Sequence, residues 1–419
     1  MRYLLTVMLS ATIRAAVRGF IFLPALLIFT TPLAGALEFF YKYKTGDKYR
    51  IVSTVNEDVY ANRKLSYKAE IVNRIAMEVT GVSGERARYS VIFQSAEKTA
   101  TVIAAARNTR PGPFQWSRDY QSEFEQDRLG YMSIGDQYYM PMVRNVPVFP
   151  GKDLRVGESW SADGTEVHDF RDSYGIEKPY RIPFTARYTY LGERTWKGKS
   201  YPAFSVSYRV FLEPQRVPGK VFPRRILGSS DQTVYWDTDH GQAAAYEENF
   251  RTVIDLSDGQ TWEYRGKAEA EVVEAPPMDK EEMAKDIAED IANIPDASVR
   301  VSDEGIVISL ENIQFAPDSA VLRPTERPKL DKIAEILMKY HDRDILVGGH
   351  TALAGTAAGR LQLSLERAGA VADYFINKKV RSPDRVVIRG YGAEKPVADN
   401  RTEEGMRKNR RVEITILEN

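Results

Sequence analysis

The chain has 419 residues, 28% of them charged and 43% hydrophobic, the balance of a folded protein with two or three domains. Lysine plus arginine equals aspartate plus glutamate at 58 each, so no global field draws nucleic acid or an anionic membrane. Cysteine is absent, which excludes disulfide scaffolds, thiol nucleophiles, thiolate metal sites and membrane association by lipidation of a cysteine.

Residues 1–36 read as an export signal. Arg2, Arg14 and Arg18 precede an apolar run from Gly19 to Phe29, and Ala34-Gly-Ala36 supplies the small-residue pattern of a cleavage site. The rest of the chain is therefore expected outside the cytoplasmic membrane.

From residue 37 to residue 275 the apolar pattern has period two. In the run 65–79, Leu65, Tyr67, Ala69, Ile71, Ile75, Met77 and Val79 share one face, while Ser66, Lys68, Glu70, Arg74 and Glu78 share the other. Gly81-Val-Ser-Gly84 turns the chain, and Ala87, Tyr89, Val91 and Phe93 continue the apolar face on a partner strand. Runs 201–212, 232–236, 243–254 and 261–273 repeat the pattern, with turns at Asp237-Thr-Asp-His-Gly241 and Ser257-Asp-Gly259. Pro141, Pro147 and Pro150 punctuate an irregular stretch, which predicts a boundary and two antiparallel β-rich domains, 37–150 and 151–275. The openings at Lys44–Tyr49 and Val156–Trp160 faintly resemble secreted bacterial domains built on one curved sheet. An outer-membrane barrel is the competing reading; the charges within runs such as 261–273 favour soluble domains.

Little chemistry stands out in this region. His168, His240, His341 and His350 are the chain's four histidines, and none forms the spaced pair of a helical zinc site. Gly81-Val-Ser-Gly-Glu85 just misses a nucleophile elbow and lies between two strands. Trp116, Tyr120, Tyr138 and Tyr139 have the chemistry to line a sugar or peptide groove but read first as packing. No enzyme, cofactor or metal is expected.

Residues 276–296 read as a linker and helix, capped by Asp279 and striped with Met283, Ile287, Ile291 and Ile294. In 297–419 the period changes repeatedly. Strands are expected at 298–301, 306–310, 344–348, 385–389 and 411–417. Between them come one helix burying Leu330, Ile333, Ile336, Leu337 and Tyr340 and another burying Leu365, Ala368, Val371, Ala372 and Phe375.

Five motifs then occur in order: Phe315-Ala-Pro-Asp-Ser-Ala-Val-Leu322, Val347-Gly-Gly-His-Thr351, Leu363-Ser-Leu-Glu-Arg-Ala368, Gly390-Tyr-Gly392 with Pro396, and Asn409-Arg-Arg-Val-Glu413. Together they resemble the OmpA-like domain, the peptidoglycan-associating module of bacterial envelopes. The fold expected for the whole chain is thus α+β and multidomain: two antiparallel β-rich domains, then an α/β OmpA-like domain with helices on one face of a small mixed sheet.

The resemblance implies a pocket for the diaminopimelate of peptidoglycan, with a carboxylate for its ammonium and an arginine for its carboxylate. Arg367 matches that arginine, and Thr351 and Arg410 match family positions near the pocket. The family's aspartate is replaced by Ala352, and Arg360 stands where asparagine is usual. Losing one charge-assisted hydrogen bond, about 1.5–3 kcal/mol, weakens binding roughly ten- to hundredfold. Asp318 is the candidate for a replacement carboxylate. The expected role is structural: a periplasmic, outer-membrane-associated protein that holds peptidoglycan in an altered way or holds an envelope protein partner.

Overall fold

The computed structural model describes residues 36–101, 113–217, 220–273, 278–311, 313–316 and 319–418. Nearly all of the export signal, the proline break at 275–277 and Asp318 lie outside them.

Among the described residues, twelve strands precede residue 275: β1 (Lys48–Ala61), β2 (Lys64–Ser83), β3 (Arg86–Thr101), β4 (Phe114–Asp127), β5 (Met132–Ile134), β6 (Val143–Arg144), β7 (Ser159–Phe170), β8 (Ile176–Trp196), β9 (Lys199–Leu212), β10 (Pro223–Asp237), β11 (Gln242–Leu256) and β12 (Thr261–Val273). A single helical turn, α1 (Arg171–Tyr174), separates β7 from β8. Strands pair antiparallel with their chain neighbours from β7 to β12 and from β1 to β4. The first strand joins the two groups, because Val55 opposes Ile71 on β2 and also Ala268 on β12.

This overturns the expected α+β arrangement with two separate β domains. The protein is mainly β, 53% strand and 17% helix, with one large, mostly antiparallel sheet. The reason is long-range pairing between 48–61 and 261–273, which local turn signals do not report. The prolines after residue 140 mark the crossing from one edge of the sheet to the other.

Laid flat, β4 and β7 would stand roughly 43 Å apart across nine interstrand spacings. Yet the Tyr120 hydroxyl on β4 donates to Asp169 Oδ2 on β7 at 3.0 Å, so the sheet curls upon itself. Across the seam, the Met132 amide donates to Asn145 Oδ1 at 2.8 Å. The inward face carries Trp160, Tyr188, Phe204 and Trp236, and the incoming chain plugs this core with Phe39, which stacks on Phe149 at 5.6 Å. The outward face of β11 and β12 carries charge: Glu263 Oε1 accepts from Arg251 and Arg265, both at 2.6 Å, beside exposed Lys267 and Glu269. On β11 and β12 this is the reverse of a lipid-facing strand.

Beyond the sheet, α2 (Lys280–Ile291) starts where Asp279 Oδ1 accepts from the Glu282 amide at 3.0 Å, and it buries Ile287 and Ile291. Then come β13 (Ala297–Ser302), β14 (Gly305–Glu311), α3 (Arg327–Lys339), β15 (Ile345–Gly349), α4 (Ala357–Asn377), β16 (Val386–Gly390), α5 (Glu403–Asn409) and β17 (Arg411–Leu417). Their order across the sheet is β13-β14-β17-β15-β16, with only β15 and β16 parallel.

Both faces of this second sheet are covered, which is why β15 and β17 are buried end to end. The helices cover one face through Ile308, Leu330, Ile333, Phe375 and Ile414. The outer surface of β1–β4 covers the other, setting Val52, Val72, Ala96 and Trp116 against Leu346, Val387 and Leu417. Main-chain pairing continues across the junction, with Val387 and Ile388 of β16 parallel to Phe114 and Gln115 of β4. Ion pairs pin it: Asp344 takes Arg74 at 2.5 Å and Arg385 at 2.8 Å, and Arg389 reaches Asp119 at 2.9 Å.

Candidate functional site

The C-terminal ends of β15 and β16 meet the start of α4 at close range. A Cβ on Gly349 would lie 1.9 Å from the Ser364 carbonyl oxygen, and one on Gly390 would lie 2.8 Å from that of Leu361. Only glycine lets the helix rest directly on these strands. That seating aims Arg367 at the loop before α3, where its guanidinium lies 4.9 Å from the Phe315 ring and its Nε donates to the Ser319 carbonyl at 3.3 Å.

His350 follows β15 and is buried, its ring stacked on Tyr391 at 4.7 Å and 11°. Its Nε2 lies 3.5 Å from Glu413 Oε2. Burial pushes the imidazole pKa down, against the pull of Glu413. Glu413 is clamped by Arg411 Nε at 2.8 Å and Arg300 Nη2 at 3.0 Å. Burial alone would raise this carboxyl, but His350 and Arg411 hold it down at about 2. Asn409 fixes the neighbouring loop: its Oδ1 accepts from the Val397 and Ala398 amides at 2.8 and 3.0 Å.

Beside them opens a cavity of about 190 Å³ lined by Arg323, Arg367, Arg410, Arg411, His350 and Phe315, together with Ile313 and Gln314. No acid is among its described lining residues. One arm of Arg411, Nη1, is buried with no hydrogen-bond partner, and both ring nitrogens of His350 also lack one. A small lined space with converging guanidinium groups suits a carboxylate or another oxyanion.

Of the residues expected at the site, Arg367 and Arg410 come together on this cavity. Thr351 and Ala352 are buried at 6% exposure each and do not line it; the Thr351 amide donates to the Gly392 carbonyl at 2.8 Å. Arg360 turns back on its own helix start, with Nη1 donating to the Gly355 carbonyl at 2.5 Å. Asp318 is outside the described residues. Arg323, His350 and Arg411 join them without being expected there from the sequence. The last two sit inside quoted motifs, while Arg323 lies one residue past one and carries no signal of its own.

A family model for the OmpA family matches residues 314–410. The C-terminal region is an OmpA-family domain. It is similar to outer membrane protein A of Bordetella avium, 37% identical over 103 residues, which is 25% of this chain and 53% of that protein. It is also similar to the peptidoglycan-binding protein ArfA of Mycobacterium tuberculosis H37Rv, 36% identical over 104 residues, 25% of this chain and 32% of that one. A solved outer membrane protein of Borrelia burgdorferi B31 is 36% identical, covering 29% of this chain and 96% of its own, with a TM-score of 0.25. The chain thus spans about half of the Bordetella protein and a third of the mycobacterial one. Strands β1–β12 lie outside the family match.

Proposed function

We propose that this is an exported, non-enzymatic protein of the cell envelope that holds peptidoglycan through its OmpA-family domain, with altered ligand chemistry. The observation that carries the reading is the arginine-lined cavity on which Arg367 and Arg410 converge. It offers several cations to a carboxylate and, among the described residues, no acid to an ammonium. A zwitterionic diaminopimelate would find its carboxylate partner in Arg367 and lack a counter-charge for its amine. The outward charge of β11 and β12 supports a water-exposed β region and a periplasmic location over a lipid-embedded barrel.

The test is retention on purified peptidoglycan and titration with free diaminopimelate, comparing the natural chain with Ala352→Asp and Arg367→Ala. Restoring the acid should tighten diaminopimelate binding roughly ten- to hundredfold, and Arg367→Ala should weaken wall retention. If the natural chain binds diaminopimelate as tightly as Ala352→Asp does, the altered-pocket reading is wrong.

A further inference from the structure

We propose a second wall-binding site at the seam of the curled sheet: a groove for the saccharide strand of peptidoglycan, lined by Tyr120, Tyr138, Tyr139, Gln121, Gln137 and Arg171. The choice of glycan rests on the wall-binding reading above.

Three of the four aromatic residues noted in the sequence converge on one cavity of about 330 Å³, inside the size range of small-ligand sites. The fourth, Trp116, stands behind its wall and donates through Nε1 to Asp119 Oδ1 at 2.7 Å. The lining is preset by a connected network. Asp169 accepts the Tyr120 hydroxyl at 3.0 Å and Arg171 Nη2 at 2.6 Å, and Arg171 stacks 3.6 Å from the centre of the Tyr139 ring. The Tyr139 hydroxyl donates to the Glu177 carbonyl. Buried Arg144 holds the segment from behind through the Tyr138 and Pro141 carbonyls at 2.6 and 3.3 Å, and Ser122 Oγ ties the Met140 carbonyl at 2.7 Å.

Rigid tyrosines supply flat faces for the C–H side of a pyranose. The exposed amides of Gln121 and Gln137 each carry donors and an acceptor, which pair with hydroxyl and N-acetyl groups. The one acid of the lining, Asp119, already holds Trp116 and Arg389, so the groove is not built for a cation. The carboxyl of Asp169 is also engaged and is held below its usual range by Arg171 and Tyr120, against the effect of burial. Both carboxylates are occupied by these partners, so the groove binds sugar and does not cleave it. It lies at the β4–β16 junction, where β16 pairs with β4 and Arg389 reaches Asp119.

The full chain is titrated with wall glycan strands stripped of stem peptides and with a β-1,4-linked N-acetylglucosamine tetramer, using calorimetry and tryptophan fluorescence. Both ligands should bind. Tyr138→Ala should weaken them about tenfold, and so should the exposed pair Gln121→Ala/Gln137→Ala, which spares the fold. Arg367→Ala should leave both unchanged. No binding by the natural chain, equal binding by the groove variants, or loss in Arg367→Ala overturns the groove. Failure of the stem-peptide reading is a separate result: intact wall retention that does not respond to Arg367→Ala.

Discussion

Glu413→Gln probes the charge cluster beneath the arginine cavity. The carboxyl falls from an ordinary 4.5 to about 2 in the fold, and at 1.36 kcal/mol per pH unit this is about 3 kcal/mol of stabilisation at neutral pH. That figure agrees with the roughly 3–5 kcal/mol lost when one partner of a buried ion pair is removed. The sign follows from a depressed carboxyl: the contribution is complete above about pH 4.5 and drains away as pH falls toward 2. The glutamine variant should therefore be less stable by about 3 kcal/mol at pH 7 and lose less on acidification. Urea unfolding followed by the far-UV helical signal isolates the right region, because every described helix longer than the α1 turn lies beyond residue 279. Equal stability at pH 7 with parallel pH curves would refute the clamp.

Three other substitutions test the architecture. Asp344→Asn frees Arg74 and Arg385 together; it should cost about 2–4 kcal/mol at the junction, and protease cleavage between the two sheets should accelerate. Trp236→Ala removes a ring lying 4.7 Å from Phe149 and 5.0 Å from Tyr41; it should cost about 3–5 kcal/mol in the unfolding of the curled sheet, read by the remaining tryptophans. Gly349→Ala forces α4 off β15 by placing a methyl 1.9 Å from the Ser364 carbonyl. Peptidoglycan retention should fall with Arg367 displaced, while helix content stays near normal.

How much of this was legible depends on the range of the interaction. Alternation at 65–79 marked β2 and its wet and dry faces, because a strand's side chains report their own sheet's polarity. Asp279 announced its helix because capping acts within one turn. The partner of β1 was invisible, since the pairing of Val55 with Ala268 spans more than two hundred positions and leaves no local trace. The second cover on the OmpA-family sheet left a faint mark: Ile306-Val-Ile-Ser-Leu310 is nearly continuous in apolar residues, as strands buried on both faces are. At the site, Arg367 could be carried over from a motif. Arg323 could not, because it reaches the cavity from an irregular loop with no periodicity to read.

The two proposed contacts bear on each other through rigidity. On the proposed reading, a cavity without the family's aspartate would hold a stem peptide roughly ten- to hundredfold more weakly than one with it. A second site on the same ligand recovers that loss without any new contact in the first, since linked binding raises overall avidity by about 10²–10⁴ when the geometry is held. Here the two parts are joined by a two-residue stretch of parallel pairing and by Arg389, which stacks 5.3 Å from Trp116 while gripping Asp119 at the groove wall. A flexible tether would dilute the gain, and a sheet shared across the junction does not. If both proposed contacts hold, the strand pairing across the junction is the feature that would let them act as one grip. Arg389→Ala should lower retention on intact wall more than it lowers binding of either free peptide or free glycan, and equal losses on all three would mean that the two sites do not cooperate.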